Sequence, residues 1–204
     1  MGFDTEIPEI ESAITNAYSN SKNRILIFAA ASNERQRTIH FPISFPASMK
    51  YGVFCINAHP SGPGEEWSTF NPRPIKKRDN FCIIGEDLLG PGSKKFDETG
   101  KKRVKTSKRL KGTSYATPIA AGVAALILEY CRLSVFVEDH RFTRDTECLK
   151  KYDHMVAVFK TMCSPTYRDD LPNVLMPWRL LRDMNGGHIT PWTFIDVALA
   201  NKDA

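Results

Sequence analysis

Gly112-Thr-Ser-Tyr-Ala-Thr-Pro-Ile-Ala-Ala-Gly-Val-Ala-Ala-Leu-Ile-Leu-Glu129 is the stretch on which the reading of this chain turns. It predicts a helix over Thr113–Tyr130 that opens on a serine and runs on through Ala120, Ala121, Gly122, Ala124 and Ala125. Residues that small let a helix lie close against a covered sheet. Ser114 would sit at the helix mouth, where the first N–H groups lack intrahelical acceptors and the dipole favours negative charge. A hydroxyl attacking a carbonyl there would build an oxyanion beside the Ser114 N–H. Gly112 permits close backbone approach, and Pro118 is expected within the first turn, where its missing N–H costs little. The string also reads as a capped, alanine-rich core helix without chemistry, because Gly-Thr-Ser starts many helices.

Upstream, Ile7, Ile10, Ile14, Ala17 and Tyr18 step at helical spacing behind Pro8. Asn20-Ser-Lys-Asn23 ends that helix, and Arg24–Ala30 follows as a strand apolar enough to be buried on both faces of a parallel sheet. Val53–Ala58 and Phe81–Ile84 read as further strands, with Pro60-Ser-Gly-Pro-Gly and Gly90-Pro-Gly-Ser as loops. Helix, strand, strand, strand, helix is the order of a layered α/β domain. After Cys131 the composition changes. Ser134–Lys151 is charged and reads as a surface connection. Met155, Val158, Phe159 and Met162 resume helical spacing, and Leu175–Leu181 and Thr190–Leu199 suggest short helices, the last capped by Thr190 with Pro191 at its first position. Trp178 and Trp192 read as packing anchors in a helical extension.

The chain has 204 residues, long enough for one domain with a real core. Its apolar content and scattered prolines exclude disorder, collagen and coiled coil. No apolar run in the sequence suggests a membrane span, and Met1–Glu11 is acidic and lacks a secretory leader. The expectation is a soluble, intracellular chain with no membrane association. Five cysteines without a C-x-x-C pair read as reduced, mostly buried thiols. The net charge of +5 is local. Lys94–Lys111 holds nine Lys/Arg against two acids, and the remainder sums to −2. That run reads as a solvated insertion, with steering of acidic peptides and nucleic-acid binding as alternatives. Nucleic acid is not expected, because no aromatic residues interleave as stacking platforms.

The string GTSYATPIAAGVAAL resembles the active-site serine motif of the subtilisin-like serine peptidases (subtilases). Ile25–Asn33 (ILIFAAASN) resembles the family's strand that ends in an oxyanion-hole asparagine, Phe45-Pro-Ala-Ser48 its Y-P-A element, and Ser68-Thr-Phe70 its serine-rich turn. The resemblance covers roughly Ile7–Cys131. It implies a partial doubly wound parallel sheet of the subtilisin type, with residues 1–131 as a partial catalytic domain and 132–204 as a connection and helical extension. It implies hydrolysis of protein or peptide substrates through an acyl-enzyme on Ser114, with Asn33 completing the oxyanion hole. No catalytic metal or organic cofactor is implied, and oligomeric state is not indicated.

Two departures are local: Ser32 stands where the family has Gly, and Gly85-Glu-Asp87 replaces an A-P-G turn. A third is larger. In subtilases the aspartate and histidine of the triad precede the serine, and no His lies ahead of Asn33. Asp4-Thr5-Glu6 lacks the glycine of the family's aspartate motif. His40, His59, His140, His154 and His188 read as surface or partly buried side chains rather than bases. The chain therefore reads as a fragment of a larger subtilase, inactive by itself, or alternatively as a peptide-binding pseudo-peptidase or interaction module.

Overall fold

The structure, a computed structural model, describes residues 2–19, 25–34, 43–60, 68, 71–75, 78–96, 103–134, 147–163, 172–180 and 191–200. Alternation along β2 (Val53–His59) sets the layers. Val53 and Cys55 pack with Ile14, Ala29, Ile43 and Ala47. Phe54, Ile56 and Ala58 join the larger core with Phe81, Ala120, Met155 and Phe159. Successive strand residues point to opposite faces, so a strand apolar throughout needs a cover on each side. One cover is α1 (Pro8–Ser19), through Ile14. The other is α2 (Thr113–Ser134) together with α3 (Tyr152–Met162).

β1 (Ile27–Ala30) and β3 (Asn80–Ile84) flank β2 in parallel, with Ile27 opposite Val53 and Ile56 opposite Phe81. β4 (Leu88–Phe96) and β5 (Arg103–Leu110) form a separate antiparallel ribbon. β6 (Asn173–Val174) adds to β3, giving a four-stranded parallel sheet in the order β1-β2-β3-β6. The short turn Pro177–Leu180 and α4 (Pro191–Ala200) close the described chain. This is the α/β class with a partial parallel sheet that the sequence predicts.

Several expectations are revised. β1 is not buried throughout, because it lies at the sheet edge and Ile25 before it is 54% exposed. Gly90-Pro-Gly-Ser is no loop. It lies inside β4, where the register slips between Gly90 and Ser93, the kind of irregularity an edge strand tolerates. The Ser134–Lys151 run expected as a surface connection is not all surface. Leu149 is fully buried, and Phe159 packs its ring at a tilt against those of Phe28 and Phe54 and edge-on against that of Phe81. Trp178 is mostly exposed and anchors no core; the side chain of Trp192 and the cap residue Thr190 lie outside the described residues. α2 is long and apolar enough to cross a membrane by length and composition. One face of it packs against β1, β2 and β3, while Leu126 and Leu133 on the rest of its surface are exposed.

A side chain completes the sheet where β1 ends. The Ile56 carbonyl accepts from Ala31 N–H (2.9 Å), and two residues on, Ala58 points the same way past the end of β1. There Ala58 N–H donates to Asn71 Oδ1 (3.0 Å) and Asn71 Nδ2 donates to the Ala58 carbonyl (2.6 Å). The buried amide stands in for a peptide group of a neighbouring strand. Asn71→Ala strands both backbone groups in the core, and unfolding in urea should show a loss of about 2–4 kcal/mol.

Cys55, Cys82, Cys131 and Cys163 are buried and in no disulfide, and Cys148 is partly exposed. Burial pushes the Cys55 and Cys163 thiols up to about 12 and raises that of Cys82 as well. A thiolate-directed reagent near pH 8 should modify Cys148 first in the folded protein, with those three reacting only on unfolding; mass mapping of the labelled peptides reads the order.

Candidate active site

Parallel strands deliver their carboxyl ends to one rim of the sheet, where α/β proteins place their sites. Three chain segments converge on that rim. β1 leads through Ala31 and Ser32 to Asn33. β3 leads to Gly85, whose N–H donates to the His59 carbonyl at the end of β2 (2.9 Å). The chain returns from the ribbon at Gly112, whose N–H donates to the Gly85 carbonyl (2.7 Å). A Cβ on Gly85 would lie 2.7 Å from that of Ala58 and 2.9 Å from that of Ala116. The glycine in place of the expected A-P-G turn thus lets two strand ends and the first turn of α2 meet.

Asn33 is held against that turn. Its Oδ1 accepts from the Thr113 N–H (2.8 Å) and from Thr113 Oγ1 (3.0 Å), across 80 residues of sequence. One of the orphan first-turn amides is satisfied in this way. Gly112 has φ of +136°, and a Cβ there would sit 3.1 Å from both amide atoms of Asn33. Nδ2 makes no hydrogen bond to a described residue. Ser114, one residue beyond Thr113, is exposed. Ser32 does not crowd the turn, since its Oγ accepts from Glu34 N–H (3.2 Å).

Pro118 lies beyond the first turn, because α2 begins at Thr113. The amide that would bond the Ser114 carbonyl is therefore missing. One position earlier, Thr117 Oγ1 donates to the Thr113 carbonyl (2.8 Å). Ser114, Thr117, Pro118 and Ala121 form one wall of an open groove of about 670 Å³, and β1 forms the other.

Two histidines are described, His59 at the end of β2 and His154. His59 Nδ1 lies 2.7 Å from the Pro60 carbonyl, and its buried Nε2 has no partner among the described residues. His154 belongs to α3. His40, His140 and His188 lie outside the described residues, as do Thr69 and Phe70 of the serine-rich turn. Among the described residues, no imidazole or carboxylate bonds Ser114, and no three His, Cys, Asp or Glu side chains are grouped to hold a metal ion. Sequence reasoning missed Thr113 as the link to Asn33; a hydroxyl residue opening a helix was the available signal.

A sequence model described as the Subtilase family matches residues 2–140. Among solved structures, the chain is similar to the protease domain of PatA, with 21% identity, a TM-score of 0.57, and coverage of 100% of this chain and 57% of that one. It is also similar to the Prenylagaramide maturation protease PagA, with 22% identity, a TM-score of 0.54, and coverage of 84% and 51%. At these identities the likeness is one of fold, and the chain spans little more than half the length of either structure. No curated protein sequence matches.

The Asn33–Thr113 link has a measurable weight. Gly112→Ala places a side chain at positive φ against the Asn33 amide and should cost roughly 1–3 kcal/mol. Asn33→Ala should cost about 1–2 kcal/mol through the lost acceptor. Because both act on one contact, the double variant should fall short of the sum in urea unfolding; strict additivity would mean the two sites are independent.

Proposed function

The chain belongs to the subtilase family, and from that membership we propose that it carries the nucleophile and oxyanion-binding part of a serine-type endopeptidase site. Ser114 Oγ attacks the carbonyl carbon of a peptide bond in a protein or peptide substrate. The oxyanion is held by the Ser114 N–H and by Asn33 Nδ2. Collapse of the adduct expels the amine and leaves an ester on Ser114, which water then hydrolyses. The observation that carries this reading is the pair of hydrogen bonds that Thr113 donates to Asn33 Oδ1. It commits the amide oxygen to the protein and leaves the Nδ2 hydrogens as donors beside an exposed serine. Residues 132–204 are then an extension built onto the catalytic part.

The serine proton needs a base, and the base needs a carboxylate to orient it. None of the described residues serves Ser114 in either role. Loss of the base alone costs roughly 10⁶ in turnover, a value measured on subtilisin itself. This chain alone should therefore turn over very slowly. A second reading, a module that binds peptides without cutting them, draws on the same fact and on the groove beside the free edge of β1, where an extended peptide could pair with the strand.

Fluorophosphonate labelling separates the two. The folded chain should label slowly and more quickly with added imidazole, which supplies an external base. Ser114→Ala should abolish labelling. Asn33→Ala should slow it by about 10²–10³, the loss found for one oxyanion donor in subtilisin itself. A folded sample silent toward the probe with imidazole present would leave the binding module.

A further inference from the structure

Between β3 and the turn that carries Ser114, the chain makes a detour that the proposed chemistry does not use. Among the described residues, β4 and β5 pair only with each other. Their root is fixed, with Leu88 opposite Leu110 and Gly112 N–H bonded to the Gly85 carbonyl (2.7 Å). The ribbon thus leaves the sheet rim and returns to it next to the serine turn. The charge run expected as a solvated insertion is, over its described strands, an ordered two-stranded arm.

Its charge is one-sided. Neither strand contains an acid, while Lys94, Lys95, Arg103, Lys105, Lys108 and Arg109 lie within them and Lys111 follows. Lys108, Arg109 and Lys111, toward the root of the ribbon, are exposed. The register puts Lys94 directly across from Lys105, and like charges so opposed are destabilising. A lone two-stranded ribbon is at best marginal in water. The Arg109–Asp87 pair at 3.3 Å is more than half exposed on both sides and offsets little of this. A marginal element loaded with mutual repulsion gains stability from an anionic partner. The eight residues of β5 span about 26 Å, which matches some seven or eight residues of extended peptide.

We propose that the β4–β5 ribbon is a docking arm for an acidic segment of the polypeptide substrate, bound beside the Ser114 turn. The substrate class rests on the endopeptidase reading; the arm itself does not need a working serine. A polypeptide is favoured over nucleic acid because the arm's root is bonded into the rim that holds Asn33 and Ser114, where a peptide is the reactant. Phe96 is the only aromatic residue within the two strands, which provides few platforms for stacked bases.

Fluorescence anisotropy with a labelled hexaglutamate peptide tests the proposal on the full chain. Binding should exceed that of the matching hexaglutamine peptide and weaken as salt rises from about 0.01 to 0.15 M, where the Debye length falls from roughly 30 to 8 Å. Combined Lys105→Gln, Lys108→Gln and Arg109→Gln should weaken it about tenfold. Ser114→Ala should leave it unchanged, so docking and catalysis fail separately. Should the triple variant lose its cooperative melt, Lys94→Gln alone, which relieves the opposed pair, should still weaken binding while raising the melting temperature. Equal binding of the two peptides, or insensitivity to every ribbon variant in folded protein, overturns the proposal. Tighter binding of a DNA oligonucleotide of equal charge overturns it in favour of nucleic acid.

Discussion

One side-chain amide joins the two ends of the site. Asn33 lies just past the end of β1, and Thr113 opens α2, 80 residues later. Two hydrogen bonds to a single Oδ1 fix the angle at which the helix leaves the sheet rim. They also fix which way the rest of that amide points. The demand this makes on the backbone is visible at Gly112, held at positive φ with no room for a Cβ. Loosening this contact would move the serine, the donor amide and the groove wall together, since all three hang on the first turn of α2.

The fold supports that contact from both faces of a short parallel sheet. Alternate residues of β2 feed two different cores, and the aromatic cluster of Phe28, Phe54, Phe81 and Phe159 ties the later part of the chain to the earlier. Asn71 extends the sheet's hydrogen bonding past the end of β1 without a further strand. β1 is nonetheless an edge, and α2 carries a stripe that includes the exposed Leu126 and Leu133. Under the proposed function, these elements carry the part of the site that supplies a nucleophile and an oxyanion cradle. Its proton-transfer partners are not among the described residues.

Charge is distributed on the same plan. The sheet and helices are close to neutral overall, and the excess of cations is confined to an arm rooted beside the serine. Separating the two keeps strong fields out of the core, where unpaired charge is costly, while leaving a potential that can act along the approach to the rim. Under the two proposals, recognition occupies the connection from Gly85 to Gly112 and chemistry the helix mouth just beyond it, with different physical demands on each.

The elements themselves were legible in residues: the helical spacing of Ile10, Ile14 and Tyr18, the apolar runs of β2 and β3, the small-residue helix opening on Ser114, and the stripe from Met155 to Met162. Each of these is a local period, and local sterics and burial write it into the chain. Ser114 and Asn33 could be named through motifs, yet the Thr113 atoms that tie Asn33 to the serine turn could not. Long-range decisions were illegible for a common reason. That β1 is an edge, that Asn71 replaces a strand, that Thr113 is the link and that Gly90-Pro-Gly-Ser lies inside β4 all depend on which backbone groups face one another after packing. A single residue type does not encode its distant partner. Sequence by itself determined the layers and singled out the Ser114 hydroxyl as the candidate nucleophile, because periodicity and side-chain chemistry are properties of neighbours. Tertiary structure decided where unpaired hydrogen-bonding groups found each other, because that is settled only when separate segments compete for the same space.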